Sequence, residues 1–513
     1  MYQIRLENFR WVQYFFHSLI DIDRRIILLI TEFKINGLNK GYNVDLIFEN
    51  DKTIFVGENG IGKTTILSIL YYILDLNFEE LLRFSFDSIE LTFEDSTPLK
   101  ISKHDMREAL ERLQRSEARR RTPRSQFDIN EFVSMIEEDQ EFYEELKRII
   151  VSGKSNSNSY REVMNILRNK TGFGPSSIRF REEVFSELSY RLNPPSYKFL
   201  IDKVENIKNN YKILYFPTYR RIEENLAQLY LKTSDERFRN KSNGELIHFG
   251  MEDVKLKIEN LLNKISKETN ESYNTMTSGL LNKFAEGNLD VAFEEFDKDM
   301  IVIALSRLGN KVTEESKETI LKKIEDNTIK DDKHLNYLVS SIINNYKQLE
   351  EIDSRIDDFT ERVNGYLVNK KFFYDAESLK LEIKRTNSMG KIKTHKDLFG
   401  DDVEEVINLE SLSSGEKQLV SAFSKIFLED EKKLLILFDE PELSLSVPWQ
   451  RKFIYDISQA ETCKFLLVVT HSPFIFDKLL DYAREIDKFI TETDEFDEVI
   501  DWDDSVIDAD FFS

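Results

Sequence analysis

One cysteine, nine prolines and seventeen glycines are all that 513 residues contain of the types that staple, break or loosen a chain. A single Cys463 excludes an intramolecular disulfide framework and points to a reducing, cytoplasmic setting. It lies in the apolar run CKFLLVVT and reads as a buried structural thiol. Scarce proline and glycine, with 32% charged residues, exclude a loop-rich or disordered chain and favour long solvated helices. Membrane helices are also missing, because none of the apolar runs reaches the roughly 18 uncharged residues that a span needs. The nearest candidate, WVQYFFHSLIDIDRRIILLITEF, is broken by Asp21, Asp23, Arg24 and Arg25, and has no signal-peptide layout. Positive charge is in deficit, 71 Lys and Arg against 94 Asp and Glu, a net charge of -23. That argues against a protein that coats nucleic acid non-specifically, since such binding is driven by counterion release, but leaves a local basic groove open. His17, His104, His248, His334 and His395 form no ligand-spaced cluster, so nothing reads as a nuclease metal site.

What is present is an apolar fraction of 41% in a chain too long for one core, which predicts two or three folding units. EFKINGL, VDLIFE and KTIFV alternate as strands, separated by turn-like NKGYN and END. A helix pattern, TTILSILYYIL, follows a glycine loop, and SIELTFE with LKISK forms a second strand pair. Met106 to about Lys208 is helical, strand character returns at YKILYFPTYRR, and helices then run to about Leu367. Within the last of these, Leu335, Leu338, Ile342, Asn345, Leu349, Ile352, Ile356, Phe359, Val363 and Tyr366 alternate spacings of three and four, about four heptads. This predicts a coiled coil, with an ordinary amphipathic helix as the other reading. KKFFYD and LKLEIK are strands, TNSMGKIKTHK is a polar loop, and the last stretch, TETDEFDEVIDWDDSVIDADFF, is an acidic tail, either solvated or a docking peptide for a basic partner.

GENGIGKT, Gly57 to Thr64, fits G-x-x-x-x-G-K-[ST] between a buried strand and a helix. Glycines let backbone N–H groups turn inward around phosphate oxygens, the helix N-terminus adds its dipole, and Lys63 brings a point charge to the outer phosphates. Asn59, Gly60, Gly62, Lys63, Thr64 and Thr65 are the expected nucleotide-binding set, with the Thr64 hydroxyl a magnesium ligand. LLILFDE is an unbroken apolar run, as a strand covered on both faces must be. Asp439 at its carboxyl end is placed to hold the magnesium shell, and Glu440 to orient or deprotonate a water. A second apolar strand, KFLLVVTH, ends at His471, where a donor could reach a terminal phosphate. In LSSGEKQLVSAF, Ser413-x-x-Glu416 is a capping box at the start of a helix, and that N-terminus doubles as an anion site.

Taken in order, GENGIGKT, LSSGEK, LFDE and VVTH resemble the motifs of ABC-type P-loop ATPases, whose signature usually reads L-S-G-G-[QE]. The resemblance covers residues 31–100 and 371–478. It implies an α/β fold: an ATPase head with a mixed sheet and parallel core, split by helical and coiled-coil insertions. It also implies ATP and Mg2+ as cofactors, and a shared site in which Ser413 and Gly415 of one copy close over the ATP held by Lys63 and Thr64 of another, hence at least a dimer. The long insertion resembles the SMC and double-strand-break-repair branch rather than transporters. DEPELSLSVPWQ and YFPTYRRIE are similar to compact anti-phage ATPases, the Septu ATPase with its retron-associated versions and overcoming-lysogenization-defect (OLD) relatives. OLD proteins carry a nuclease domain after the head, for which this chain, ending soon after His471, has no room.

The expected layout is residues 1–103 as the first half of the head, 104–208 a helical insertion, 209–235 a return strand and loop, 236–370 a helical and coiled-coil insertion, and 371–513 the second half. Departures from the family pattern are the missing magnesium-sensing glutamine at YFPTYRR, with Gln228 further on, and Ser446 where many relatives have histidine. Leu6 to Arg10, LENFR, imitates an SMC phrase by accident. Tyr219, Arg220 and Arg221 are either surface residues or contacts for phosphate or a partner. Arg115, Arg119, Arg120, Arg121 and Arg124 form either a solvated helix face or a grip on nucleic-acid phosphates or an acidic partner. The resemblance implies an ATPase that senses infection and restrains a separate effector nuclease, an HNH-type enzyme. The rivals are an SMC-like chromosome-maintenance or repair ATPase that binds DNA directly, and a scaffold that binds ATP but barely hydrolyses it.

Overall fold

Alternation of apolar and polar side chains builds the first sheet of the computed structural model, which describes residues 29–58, 60–94, 97–121, 135–136, 138–152, 157–171, 178–218, 251–286, 298–308, 312–326, 328–396, 402–429 and 433–493. Strand β1 (Glu32–Leu38) buries Phe33, Ile35 and Leu38 on one face. It pairs antiparallel with β2 (Tyr42–Ile47) and β4 (Ser88–Thr92), so that Phe33 stands opposite Leu46 and Leu91. Asn39 and Lys40, both with left-handed φ, close the β1–β2 turn. β5 (Leu99–Ser102) extends this antiparallel sheet beyond β4, and Ile490–Glu492 extends it beyond β2. Strand β3 (Lys52–Val56) leads through the glycine loop into helix α1 (Lys63–Leu74), which buries Ile66, Leu67, Ile69, Leu70, Ile73 and Leu74.

The chain divides into two compact units, Met1–Ile213 with Arg484–Ser513, and Leu214–Ala483. The segment from Arg484 thus groups with the N-terminal half, not with the residues just before it. Phe489 packs edge-on against Phe55 of β3, with ring centroids 5.5 Å apart. The first helical insertion contains α2 (Lys103–Arg121), α3 (Gln140–Ser152), α4 (Ser157–Thr171), α5 (Ile178–Leu192) and α6 (Ser196–Asn210). α3, α4 and α5 close around a small core of their own that includes Leu146, Val163, Leu167, Val184 and Leu188.

In the second unit the helical insertion comprises α7 (Met251–Glu286), α8 (Lys298–Ser306), α9 (Glu314–Glu325) and α10 (Lys333–Asn364). Of the residues expected to line a seam along α10, Leu349, Ile352, Ile356, Phe359 and Val363 are buried in its C-terminal half. In its N-terminal half the buried set is Asn336, Val339, Ser340, Ile343 and Tyr346, one residue out of the expected register. The reason is multi-sided packing. α10 touches α7, α8, the following β7 (Lys370–Asp375) and helix α11 (Ser414–Phe427), so its apolar face is wider than a two-helix seam. Leu335 and Ile342 keep partial burial against Ile301, Leu305 and Leu308.

β7 forms an antiparallel sheet with β8 (Lys380–Arg385) and the short β11 (Val406–Ile407). The stretch expected to be a polar loop contains a strand, β9 (Thr394–Lys396), paired with β10 (Asp402–Glu404). The pattern was hidden because all six residues of that pair are exposed and have no apolar alternation. Beyond α11, β12 (Lys433–Asp439) and β13 (Cys463–Thr470) run parallel, and Leu434 to Phe438 are buried on both faces. Helix α12 (Val447–Ser458) joins the two strands as their crossover. Phe216, at the end of strand β6 (Tyr211–Phe216), stacks on Phe438 with ring centroids 4.1 Å apart. Among the described residues no helix is long and apolar enough to cross a membrane.

Candidate functional site

In the first unit, the phosphate loop has the backbone that its glycines allow. Gly60 and Gly62 have φ of 96° and 91°, a region costly for residues with a Cβ, and a Cβ built on either would meet nothing within 4 Å. The space beside both glycines is therefore open. Gly62 caps α1, so the loop sits at the positive end of that helix. Lys63 is only 4% exposed, and its ammonium donates to the carbonyl oxygens of Gly57 (2.9 Å) and Glu58 (2.6 Å). Thr64 and Thr65, both half-buried, follow on the first turn. Asn59 lies outside the described residues. A Cβ on Gly57 would come within 2.6 Å of Ile486 Cγ2, so glycine is also required there by close packing.

The second unit gathers the carboxylates, the histidine and the signature. Asp439 closes β12 and is 2% exposed. Glu440 follows with φ of 49°, a left-handed conformation held by its N–H donating to Val469 of the neighbouring strand (2.8 Å). Strain of this kind, about 1–2 kcal/mol, persists where surrounding structure fixes it and is common at functional sites. Its carboxylate Oε1 lies 3.1 Å from His471 Nε2, both side chains being about one-quarter exposed. The strand ends at Thr470, one residue before the expected His471.

Glu442, in the same loop, was not singled out from sequence. It accepts three hydrogen bonds, from Thr470 Oγ1 (2.8 Å), His471 N–H (2.8 Å) and Ser472 N–H (3.0 Å). Gln450 of α12 was missed as well. Its amide donates to the Leu445 carbonyl (2.9 Å), and its Oε1 accepts from Ser472 Oγ (2.7 Å). The only sequence signal for either was a polar side chain spaced a turn away from two motif residues.

Ser413 and Glu416 make the expected box at the start of α11: the Ser413 N–H and hydroxyl both donate to Glu416 Oε2, at 2.8 and 2.9 Å. Lys370 of β7 adds an ion pair to the same oxygen at 2.9 Å. Burial pushes the Glu416 carboxyl up, but the Ser413 N–H, the Lys370 ammonium and the Ser413 hydroxyl outweigh it and hold the group below the ordinary carboxylate range. Ser413 and Ser414 are exposed at the helix tip. Gly415 is buried, and a Cβ there would approach the Ser444 carbonyl oxygen to 2.4 Å and Trp449 to 3.5 Å. Tyr219, Arg220, Arg221, Gln228 and Arg124 lie outside the described residues, as do LENFR and the acidic tail from Asp494 onward, whose first residues, Thr491 and Glu492, belong to the strand paired with β2. α2 carries Arg115, Arg119, Arg120 and Arg121 along its last turns.

A phosphate loop in one unit and, in the other, a strand that closes on Asp439 with Glu440 just after it, and a histidine after the adjacent parallel strand, define a mixed α/β P-loop ATPase split by helical insertions. Residues 52–477 match the family model AAA_21, described as "AAA domain, putative AbiEii toxin, Type IV TA system", and the chain belongs to that family. No curated protein matches. Among solved structures, the SMC head bound to the C-winged helix domain of ScpA is similar at 12% identity, covering 87% of this chain and 90% of that one, with a TM-score of 0.31. The SMC head with an extended coiled coil bound to the C-terminal domain of ScpA derived from Pyrococcus furiosus also shares 12% identity, over 87% and 91%, TM-score 0.31. The SMC head with a coiled coil and joint from Pyrococcus yayanosii shares 13%, over 86% and 92%, TM-score 0.24.

Oxygen donors of the Thr64 and Asp439 type suit magnesium, a hard cation that takes hydroxyl, carboxylate and phosphate oxygens. A glycine loop at a helix N-terminus, followed by a buried lysine, suits the phosphates of a nucleotide.

Proposed function

We propose that the protein hydrolyses ATP at sites shared between two copies, and uses that cycle to control a separate effector. The observation that carries the hydrolytic part is the Glu440–His471 contact of 3.1 Å at the end of a buried parallel strand, in a chain that also holds a phosphate loop. In this reading Lys63, the loop N–H groups and Thr65 bind the outer phosphates. Glu440 draws a proton from the attacking water, and His471 holds that carboxylate in place and donates to the terminal phosphate as charge builds on it. Thr64 and Asp439 would hold magnesium, which would supply charge neutralisation for the phosphates. Ser413 and Gly415 close the site of the other copy. The exposed Ser413–Ser414 tip supports that role, because a helix N-terminus facing outward presents its positive end to a partner's anion.

The regulated setting is a module of the Septu or OLD kind, in which this chain restrains a nuclease, such as an HNH protein, until infection. The family description, a toxin of a toxin–antitoxin system, supports a two-component arrangement. The test has two arms: turnover of ATP by the wild type against Glu440→Gln, and mass spectrometry of stoichiometric companions after gentle purification with ATP and magnesium. A nuclease companion supports the module. Recovery with DNA and no protein companion points to direct DNA maintenance instead.

A further inference from the structure

Two loops of the second unit are stitched together by more hydrogen bonds than backbone pairing requires. Glu442 takes two backbone N–H bonds on Oε1 and the Thr470 hydroxyl on Oε2. Thr470 is fully buried, so its hydroxyl must be satisfied inside the protein, and its oxygen also accepts from Ser472 N–H at 3.0 Å. The same turn is gripped again through Ser472 and Gln450. A carboxylate that accepts from main-chain donors makes short, charge-assisted bonds, which fix the backbone more firmly than a neutral acceptor does. The backbone fixed here carries the imidazole that meets Glu440. Two residues on in the same loop, the Ser444 carbonyl packs over Gly415 at the tip of the signature helix.

We propose that Glu442 is a positioning residue of the hydrolytic site: its carboxylate clamps the Thr470–His471–Ser472 turn, and so sets the imidazole against Glu440 and ties that pair to the loop beneath the signature helix. The inference rests on the assignment of Glu440 and His471 to the hydrolytic site, but the clamp itself is a property of the folded chain without nucleotide. Glutamine keeps one acceptor oxygen for the two N–H groups but places an amide on Thr470. Alanine removes the clamp altogether.

The experiment combines turnover by the full chain with the His471 ring resonance, recorded without ATP on histidine-labelled protein and identified by its loss in His471→Gln. Glu442→Ala is expected to lower kcat about 100-fold, the scale of a displacement near 1 Å, with little change in the KM for ATP because the Lys63 loop is untouched. Glu442→Gln should fall between wild type and Ala in both kcat and resonance position. If Glu442→Ala does not fold, Glu442→Gln decides. A His471 resonance unmoved in the folded variants, or a kcat equal to that of the wild type, overturns the proposal. A wild type that turns over no ATP at all counts against the hydrolytic reading, while the resonance still tests the clamp.

Discussion

His471 Nε2 stands 3.1 Å from Glu440 Oε1, an imidazole facing the carboxylate of the residue that follows Asp439. The contact is made between the ends of adjacent parallel strands, and the left-handed backbone at Glu440 turns its side chain there. Under the proposed mechanism, Glu440→Gln keeps the shape and loses the base. We expect ATP to remain bound, the closed dimer to accumulate, and turnover to drop by about 10²–10⁴-fold, the usual worth of a positioned general base. Steady-state hydrolysis with size-exclusion chromatography in ATP checks both halves of this expectation.

Lys63→Ala removes the charge that spans the phosphate loop and the two hydrogen bonds to the Gly57 and Glu58 carbonyls. ATP binding is expected to be lost, with the fold kept, since α1 is anchored by its apolar face. Calorimetric titration with ATP and magnesium, alongside a thermal melt, separates the two.

Gly415→Ala forces a Cβ to 2.4 Å from a backbone oxygen, which no side-chain rotation relieves. The loop of Ser444 or the helix tip must move. Overpacking of this kind costs about 1–3 kcal/mol. A lowered melting temperature, with turnover reduced beyond what the remaining folded fraction explains, is the expected result.

Glu416 is held below its ordinary range in the folded chain, so its contribution is present above the unfolded carboxyl value and fades as the pH falls through the folded one. Glu416→Gln keeps an acceptor for the capping box but loses the charge facing Lys370 and the Ser413 donors, so it should be less stable than the wild type at neutral pH by about 1 kcal/mol, and the gap should narrow below about pH 4.5. Urea midpoints across that pH range measure it.

Asp353 on α10 is 5% exposed and receives Arg307 Nη2 on both oxygens, at 2.6 and 2.7 Å, with the Tyr374 hydroxyl donating to the same carboxylate. Burial pushes the Tyr374 hydroxyl well above the ordinary tyrosine range. Asp353→Ala leaves the guanidinium buried without its counter-charge, a change that costs about 3–5 kcal/mol. Asp353→Leu combined with Arg307→Met, which removes both charges, should recover much of that loss in urea denaturation.

Much of this architecture was legible in the chain because strand alternation, unbroken apolar runs and the glycine pattern each have one local cause. β1, β3, β7 and β12 lie where EFKINGL, KTIFV, KKFFYD and LLILFD place them. What was hidden depends on contacts remote in sequence. The register shift in α10 arises from helices packing on more than one side, which a heptad count cannot see. Lys370 reaching Glu416, and Glu442 reaching Thr470, His471 and Ser472, join residues 46 and 28–30 positions apart. The joining of Ile490–Glu492 to β2 had no signal beyond a few β-branched residues.

The measurement that tests the central claim most directly is a mixing experiment. Lys63→Ala chains and Ser413→Arg chains are each assayed for ATP turnover alone, then after co-folding or exchange into mixed oligomers. A shared site predicts that both parents are inactive and that activity returns on mixing, because one composite site then pairs an intact Lys63 with an intact Ser413 from the other copy. A mixture as inactive as its parents, beside a wild type that hydrolyses ATP, would contradict it.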